Sequence, residues 1–600
     1  MEKEKLRPFW GKILFLHGES PEGYFIEIEG ERREMLQVLA DPLEENPIAV
    51  GRWISGFALE VGSFLRVLRW KVIPEEKDLL PIEATPFEEG FSYLTAVGFP
   101  LHTAKVIYQA WGPGAALYLR ARPYAPAEEG YISLEELDRL YIAKGLPRLH
   151  PARTKGLTRY YLRWVAYSYG HTALDLSTLF RFVRNEERLE AVMAGIAILI
   201  AEGEVETIED KIALKSLYTR EKEIADFFSQ DPEENIPIPS ASVPLASKLN
   251  EDQRQAFAKA FRYNKMALLG GPGTGKTTLI RALTDAWDQM GLKYILLSPT
   301  GKGASRLRQA TGKEATTAHR FLYSRNQSRF SALVLDEAGL LSSPLLSAIL
   351  RKIGRRTRVL LVGDSNQLPP VGPGSPLQDL AGSLPTHTLV TFVRQEDSSL
   401  IEAALRALDG NLFLEHLNGL VLPFQDTPPM EELWNLWKEQ EDLQILVPWK
   451  PPPFGADYVN GFISKQLGKG GFFPGMRLIG LRNLPSLNLW NGEVYRVLQA
   501  TEDSVALEGG ALLSRDEAMR LLAPAFAITV HRAQGSEWEE VALLLPDGYS
   551  SLLSRKLLYT AITRAKKRFH LFYHPKALEK ALANDEEERS TALRLLLSRR

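Results

Sequence analysis

The stretch Gly270-Gly271-Pro272-Gly273-Thr274-Gly275-Lys276-Thr277 constrains the fold more than any other part of the chain. A short apolar run, Met266 to Leu269, precedes it, and a helix-like segment continues to about Trp287. Every position of the pattern G-x-x-x-x-G-K-[ST] is filled, in the strand–loop–helix setting the pattern requires. Glycines let backbone N–H groups close on phosphate oxygens, and the helix N-terminus adds its positive end. Lys276 supplies a point charge to β- and γ-phosphates, Thr277 offers a hydroxyl to Mg²⁺, and Thr278 continues the first turn behind them. The alternative is a glycine-rich turn that binds nothing, and a complete match in this setting weighs heavily against it. The loop implies a nucleoside triphosphate site.

A chain of 600 residues is too long for one core, so about three to five domains are expected. A net charge of −2 means that any nucleic-acid surface must be a local channel. The complete lack of cysteine excludes disulfides, cysteine-held iron–sulfur clusters and thiolate zinc sites, and fits a reducing cytoplasm. Met1 to Lys5 has no apolar signal core. The longest apolar run, Ala191 to Ala201, falls short of the ~18–20 residues of a membrane span and reads as a buried helix.

Taken in order, residues 1–80 read as a β-rich, barrel-like module, with Tyr24, Ile26 and Ile28 alternating with Glu27 and Glu29. Residues 86–230 turn helical. A tight turn at Gly98-Phe99-Pro100 joins two helical segments, and its N–H groups could meet a DNA phosphate or simply serve helix packing. Arg188 to Glu204 followed by two short strands suggests a winged helix. A proline-rich linker, 231–244, marks the main boundary.

Beyond it strands and helices alternate, the pattern of parallel sheets covered by helices. The fold class expected is multi-domain α/β with two P-loop-type lobes, at 245–385 and at 386–469 with 525–580. Thr388 to Phe392 is placed with the second lobe, β segments at 470–524 read as a small inserted barrel, and 581–600 reads as a charged helix or tail with a solvated face.

Leu333-Val334-Leu335-Asp336-Glu337 is an apolar strand ending in two acids. Asp336 can hold Mg²⁺ through water, opposite Thr277, and Glu337 can orient or deprotonate an attacking water. In Gly363-Asp364-Ser365-Asn366-Gln367-Leu368-Pro369-Pro370-Val371 the prolines fix the turn, and the Gln367 amide can sense a γ-phosphate or merely bond its own loop.

These segments, followed by Val530-His531-Arg532-Ala533-Gln534-Gly535-Ser536-Glu537-Trp538 and Tyr559-Thr560-Ala561-Ile562-Thr563-Arg564-Ala565-Lys566, resemble a superfamily 1 helicase. The resemblance is nearest to the RecD-like, 5′→3′ helicases that have a long N-terminal region and stand outside a RecBCD complex. It implies two RecA-like lobes, an inserted Src-homology-like barrel, ATP and Mg²⁺ as cofactors, and a monomer acting on single-stranded DNA and ss/ds junctions. The function implied is unwinding in DNA repair or recombination. By that resemblance Gln253 reads the adenine edge, Arg394 and Arg564 are arginine fingers, and Gln534 and Gly535 couple the phosphate site to the DNA. Pro299, Thr300, Lys302, Thr316, Thr317, His319, Asn326, Thr529 and His531 line the strand, and 321–330 forms a short strand-splitting hairpin. A single-strand-stimulated ATPase that remodels protein–DNA complexes is the main alternative, and a nucleotide-gated clamp a further one. No nuclease-like acidic constellation stands out.

Lys276→Ala is expected to abolish ATP hydrolysis, and Arg564→Ala to spare nucleotide binding while removing most turnover. Phosphate release by the purified variants measures both, and normal rates in the two would overturn the assignment.

Overall fold

The computed structural model describes residues 7–20, 23–29, 33–38, 53–61, 64–73, 90–229, 249–324, 329–392, 398–440, 443–468, 471–481, 484, 487, 489–585 and 588–599. The expected linker, together with Asn326 and Arg394, lies outside them. Two compact units result: the first from residues 1–224, 372–374 and 589–599, the second from 225–371, 375–588 and 600.

In the first unit β1 (Arg7–Ser20), β2 (Gly23–Glu29), β3 (Arg33–Val38), β4 (Trp53–Val61) and β5 (Phe64–Ile73) close into a barrel, in the order β1-β2-β3-β5-β4. Ile13, Ile28, Leu36 and Ile54 are buried, as the period-two alternation of apolar residues requires. Next, α1 (Gly90–Val97) turns through Gly98, φ 106°, into α2 (Leu101–Trp111). The N–H of Gly98 donates to the Thr95 carbonyl (3.0 Å) and that of Phe99 to the Leu94 carbonyl (3.2 Å), so both cap the end of α1. Then α3 (Pro151–Tyr169) crosses α4 (Glu186–Ala201) so closely that a Cβ on Gly195 would lie 2.3 Å from the Thr154 carbonyl oxygen. Strands β6 (Leu174–Asp175), β7 (Val205–Ile208) and β8 (Lys211–Leu214) form a small antiparallel sheet beside them, in the order β6-β8-β7.

The C-terminal stretch corrects the sequence reading. It carries a helix, Ala592–Ser598, but not a solvated one: Ala592 and Leu593 are buried within the first unit. The buried Glu221 carboxylate accepts from the Leu593 N–H (2.8 Å) and the Thr172 hydroxyl (2.7 Å). The charges at 585–588 dominate the local composition and mask the apolar spacing of Ala592, Leu593 and Leu596.

The second unit opens with α5 (Glu251–Arg262). A six-stranded parallel sheet follows, built from β9 (Lys265–Gly270), β10 (Tyr294–Ser298), β11 (Ala315–Thr317), β12 (Ala332–Leu335), β13 (Arg358–Gly363) and β14 (Thr386–Leu389). Its order is β11-β10-β12-β13-β9-β14. Helices α6 (Lys276–Gln289), α7 (Gly301–Thr311) and α8 (Ala318–Tyr323) leave the strand ends. Two expectations fail here. Thr386–Leu389 joins the first sheet beside β9 rather than the second lobe, because Asp252 at the start of α5 accepts from His387, Val390 N–H (2.8 Å) and Thr391 N–H and pins that edge. Phe321–Tyr323, expected as one arm of a hairpin, is the end of α8, and Lys352 caps its Phe321 and Leu322 carbonyls.

Strands β15 (Val421–Pro423) and β16 (Leu443–Val447) begin the second parallel sheet. The chain leaves it to form β17 (Arg477–Gly480), β18 (Val494–Ala500), β19 (Ser504–Leu507), β20 (Leu512–Ser514) and β21 (Leu522–Pro524). Among the described residues these make an antiparallel sheet in the order β20-β19-β18-β17-β21. The helix Arg515–Leu521, held by a Ser514/Glu517 capping box, separates the two edge strands in the chain. The second sheet is completed by β22 (Ala527–Thr529), α9 (Val530–Ala533), β23 (Trp538–Leu545), α10 (Arg555–Ile562) and β24 (Ala565–Tyr573). Its order is β15-β24-β23-β16-β22. No helix among the described residues is long and apolar enough to cross a membrane.

Leu593→Ala should cost about 2–5 kcal/mol in denaturant unfolding of the first unit. A solvated tail would lose less than about 0.5 kcal/mol.

Candidate nucleotide and nucleic-acid site

The phosphate loop leaves β9 at Gly270 and enters α6 at Lys276. Gly273 (φ 76°) and Gly275 (φ 81°) take left-handed conformations that only glycine adopts at little cost. Lys276 Nζ donates to the Gly270 and Gly271 carbonyls at 2.6 and 2.9 Å, and the Thr274 hydroxyl closes the turn on Gly271 (2.9 Å). Pro272 and Thr277 are half-buried, and Thr278 is exposed. Beside the loop lies a cavity of about 260 Å³, with Gly271, Pro272 and Thr274 on one wall and Phe392, Leu405 and Tyr559 on the other.

Gln253 is buried behind the loop. Its carbonyl oxygen accepts from the Asn250 N–H in a capping box, and its amide donates to the Thr274 and Gly275 carbonyls at 3.3 and 3.4 Å. The side chain thus braces the loop through backbone carbonyls.

Asp336 and Glu337 follow β12, both buried. Glu337 stands at φ 53°, ψ 39°, a conformation costing a non-glycine residue about 1–3 kcal/mol. Burial, then the neighbouring Glu337 charge, pushes the Asp336 carboxyl above the usual range. Burial acts on Glu337 too, but the charges of Arg306, Lys276 and Arg564 outweigh it and hold Glu337 low. Arg306 makes the contact directly, at 2.5 Å. Among the described residues no group of three or more His, Asp or Glu could cage a metal alone. One buried carboxylate and the Thr277 hydroxyl do fit Mg²⁺, which takes few protein ligands and fills its sphere with water and phosphate oxygens.

Next to this pair, Asp364 accepts from the Asn366 N–H (3.0 Å), the Gln367 amide (3.3 Å) and the Tyr559 hydroxyl (2.7 Å). Thr560 Oγ1 accepts from the Leu368 N–H (2.9 Å), while the Gln534 amide donates to the Leu368 carbonyl (2.7 Å). The loop after β13 is therefore tied at three points to the second sheet's α9 and α10. Arg564 is buried just beyond α10 and fixed by the Thr560 and Ser536 carbonyls (3.0 and 3.1 Å) and Thr563 Oγ1 (3.1 Å).

Three threonines recur in one role. Thr300 caps α7 by accepting from the Gly303 N–H (3.1 Å), Thr317 caps α8 through Arg320 (3.2 Å), and Thr529 caps α9 through Arg532 (3.3 Å). Each stands where a parallel strand passes into a helix N-terminus, a setting that suits a phosphate. Pro299, Thr316 and His319 are half-buried near the ends of β10 and β11, which pair Leu297 with Thr316, and His531 follows Thr529. Lys302 is exposed and sets its ammonium 4.2 Å from the centroid of the Trp538 ring.

Comparison with known proteins then locates the chain. Family profiles match residues 248–418 as "AAA domain", 524–572 as "UvrD-like helicase C-terminal domain" and 83–173 as "ATP-dependent RecD2 DNA helicase HHH domain". A Mycolicibacterium smegmatis "RecBCD enzyme subunit RecD" is 30% identical over 428 residues, spanning 59% of this chain and 77% of that protein. The chain belongs to the RecD-like helicase family. An "ATP-dependent RecD2 DNA helicase" from Deinococcus radiodurans is 28% identical over 548 residues, covering 83% of this chain and 76% of the relative. Among solved structures, a Bacteroides Pif1 bound to ssDNA aligns with 54% of this chain and 92% of its own, at 16% identity and a TM-score of 0.37.

In this RecD-like chain the motif residues 270–277, 336–337, 367, 534 and 564 converge on one region of the second unit. The sequence reading gave no role to Asp364, Tyr559, Thr560 or Arg306. Asp364, Tyr559 and Thr560 sit inside quoted motifs, and a hydroxyl pair at 559–560 within the apolar helix α10 was a usable signal. Arg306 lies one turn beyond Lys302 and carries no local mark.

Gln253→Ala is expected to raise KM for ATP and GTP together, because it loosens the loop that holds any triphosphate. A rise confined to ATP would instead mean that the amide reads the base.

Proposed function

We propose that the chain is an ATP-driven motor that moves 5′→3′ along single-stranded DNA and opens duplex at ss/ds junctions, as a monomer serving DNA repair or recombination in the cytoplasm. One observation carries this reading: the loop from Asp364 to Leu368 on the first sheet is hydrogen-bonded to Tyr559, Thr560 and Gln534 of the second. A change at the γ-phosphate reaching Gln367 is thereby passed to the other lobe.

In this mechanism Lys276 meets the β- and γ-phosphates, and the loop N–H groups around Gly273 and Gly275 cradle them. Thr277 and Asp336 would hold Mg²⁺, which neutralises phosphate charge as a Lewis acid. Glu337 orients the attacking water and takes its proton. Arg564, joined by Arg394, meets the charge that develops on the transferred group; an arginine in that role typically contributes about 10³–10⁵ in rate. Thr300 and Thr317 on one lobe, and Thr529 on the other, present helix N-termini to DNA phosphates, a grip that ignores base identity. Two such grips on lobes that close around ATP and part on phosphate release advance along the strand.

Duplexes carrying only a 5′ or only a 3′ single-stranded tail test this directly. Unwinding of the 5′-tailed duplex alone is expected, and unwinding of only the 3′-tailed one overturns the polarity. Single-strand-stimulated phosphate release without unwinding of either would point to protein–DNA remodelling instead.

A further inference from the structure

Helix α7 meets the segment Gly535–Trp538 of the second lobe at three successive levels. Gly535, φ 72°, comes so near that a Cβ there would lie 2.7 Å from Thr300 Oγ1. Two residues on, the Lys302 ammonium covers the Trp538 ring. One turn further, Arg306 Nη1 donates to Glu537 Oε1 at 2.7 Å. The other end of the same guanidinium, Nη2, holds Glu337 Oε1. Nε of Arg306 makes no hydrogen bond, so the two carboxylates alone set the direction of the planar group.

One cation of the first lobe thus bridges the carboxylate that acts on water and an acid of the second lobe. A guanidinium is suited to this, since its separate N–H groups satisfy two carboxylates in fixed directions, whereas an ammonium is a single point charge. Any shift of Gly535–Trp538 along α7 pulls on Arg306, and Arg306 carries the Glu337 side chain with it. The three contacts run from the N-cap Thr300 into the N-terminal half of the helix.

We propose that Arg306 is a positioning residue that makes the placement of Glu337 depend on the position of the second lobe, with Glu537 as its anchor there, so that water attack is timed to lobe movement. This rests on the motor reading above. Hydrolysis and stepping are coupled through this bridge in addition to the Gln367 loop, and removing the second-lobe anchor lets ATP be spent without a step.

Glu537→Gln isolates the anchor, because it leaves the Arg306–Glu337 pair intact. Single-strand-stimulated ATPase and unwinding rate are measured side by side in the full-length chain, with KM for ATP. Expected for Glu537→Gln is an ATPase kcat within about two-fold of the parent, an unchanged KM, and base pairs opened per ATP reduced about five-fold or more. Arg306→Ala, which releases Glu337 itself, should lower kcat at least ten-fold with little change in KM, and Arg306→Lys should not restore it. A Glu537→Gln enzyme whose ATPase and unwinding fall in proportion, or not at all, overturns the proposal, as does Arg306→Ala with normal kcat. A parent chain that hydrolyses ATP but neither unwinds nor translocates removes the motor reading itself, and the coupling with it.

Discussion

Two neighbouring carboxylates, Asp336 and Glu337, are buried at the end of a parallel strand, and that burial governs what surrounds them. Like charges side by side in a low-dielectric setting cannot both ionise unless cations converge on them. Lys276 comes from the phosphate loop, Arg306 from α7, and Arg564 from the second lobe beyond α10. Three elements far apart in the chain are drawn to one point by the same electrostatic demand. The lobes of the second unit are joined where a nucleotide's own charge would rebalance the cluster.

Hydrogen bonding gives that joint its direction. Asp364 is saturated by Asn366, Gln367 and Tyr559, so its carboxylate orients a loop of one sheet and a helix of the other together. Leu368 contributes only backbone, yet both its N–H and its carbonyl are taken by second-lobe side chains. An interface held by main-chain groups tolerates side-chain change and keeps its geometry. The capping threonines 300, 317 and 529 repeat one local solution on both sheets.

The first unit follows other rules. Its barrel and helices bury apolar side chains, and two buried acids hold its parts together: Asp138 accepts from Tyr124, Arg153 and Arg188, and Glu221 ties the C-terminal helix to the segment at Thr172. The residues 372–374, which directly follow the Pro369-Pro370-Val371 turn, also belong to this unit: the Gly374 N–H donates to the Gly170 carbonyl (2.9 Å), and Arg589 Nη1 donates to the Gly372 and Gly374 carbonyls (2.9 and 2.7 Å).

Much of the second unit was legible residue by residue. The phosphate loop, the apolar strand ending in Asp336 and Glu337, and the alternation of strands with helices are local patterns, set by steric permission for glycine and by the period of apolar residues. Partnership was not legible. Which sheet Thr386–Leu389 would join depended on Asp252 reaching across from α5. That Gln253 would also reach the Thr274 and Gly275 carbonyls had no local mark in the sequence. Arg306 looked like any helix arginine until Glu337 and Glu537 took its two ends. Local patterns say what a residue is able to do; the charges and hydrogen bonds brought near by tertiary packing decide which of those things it does.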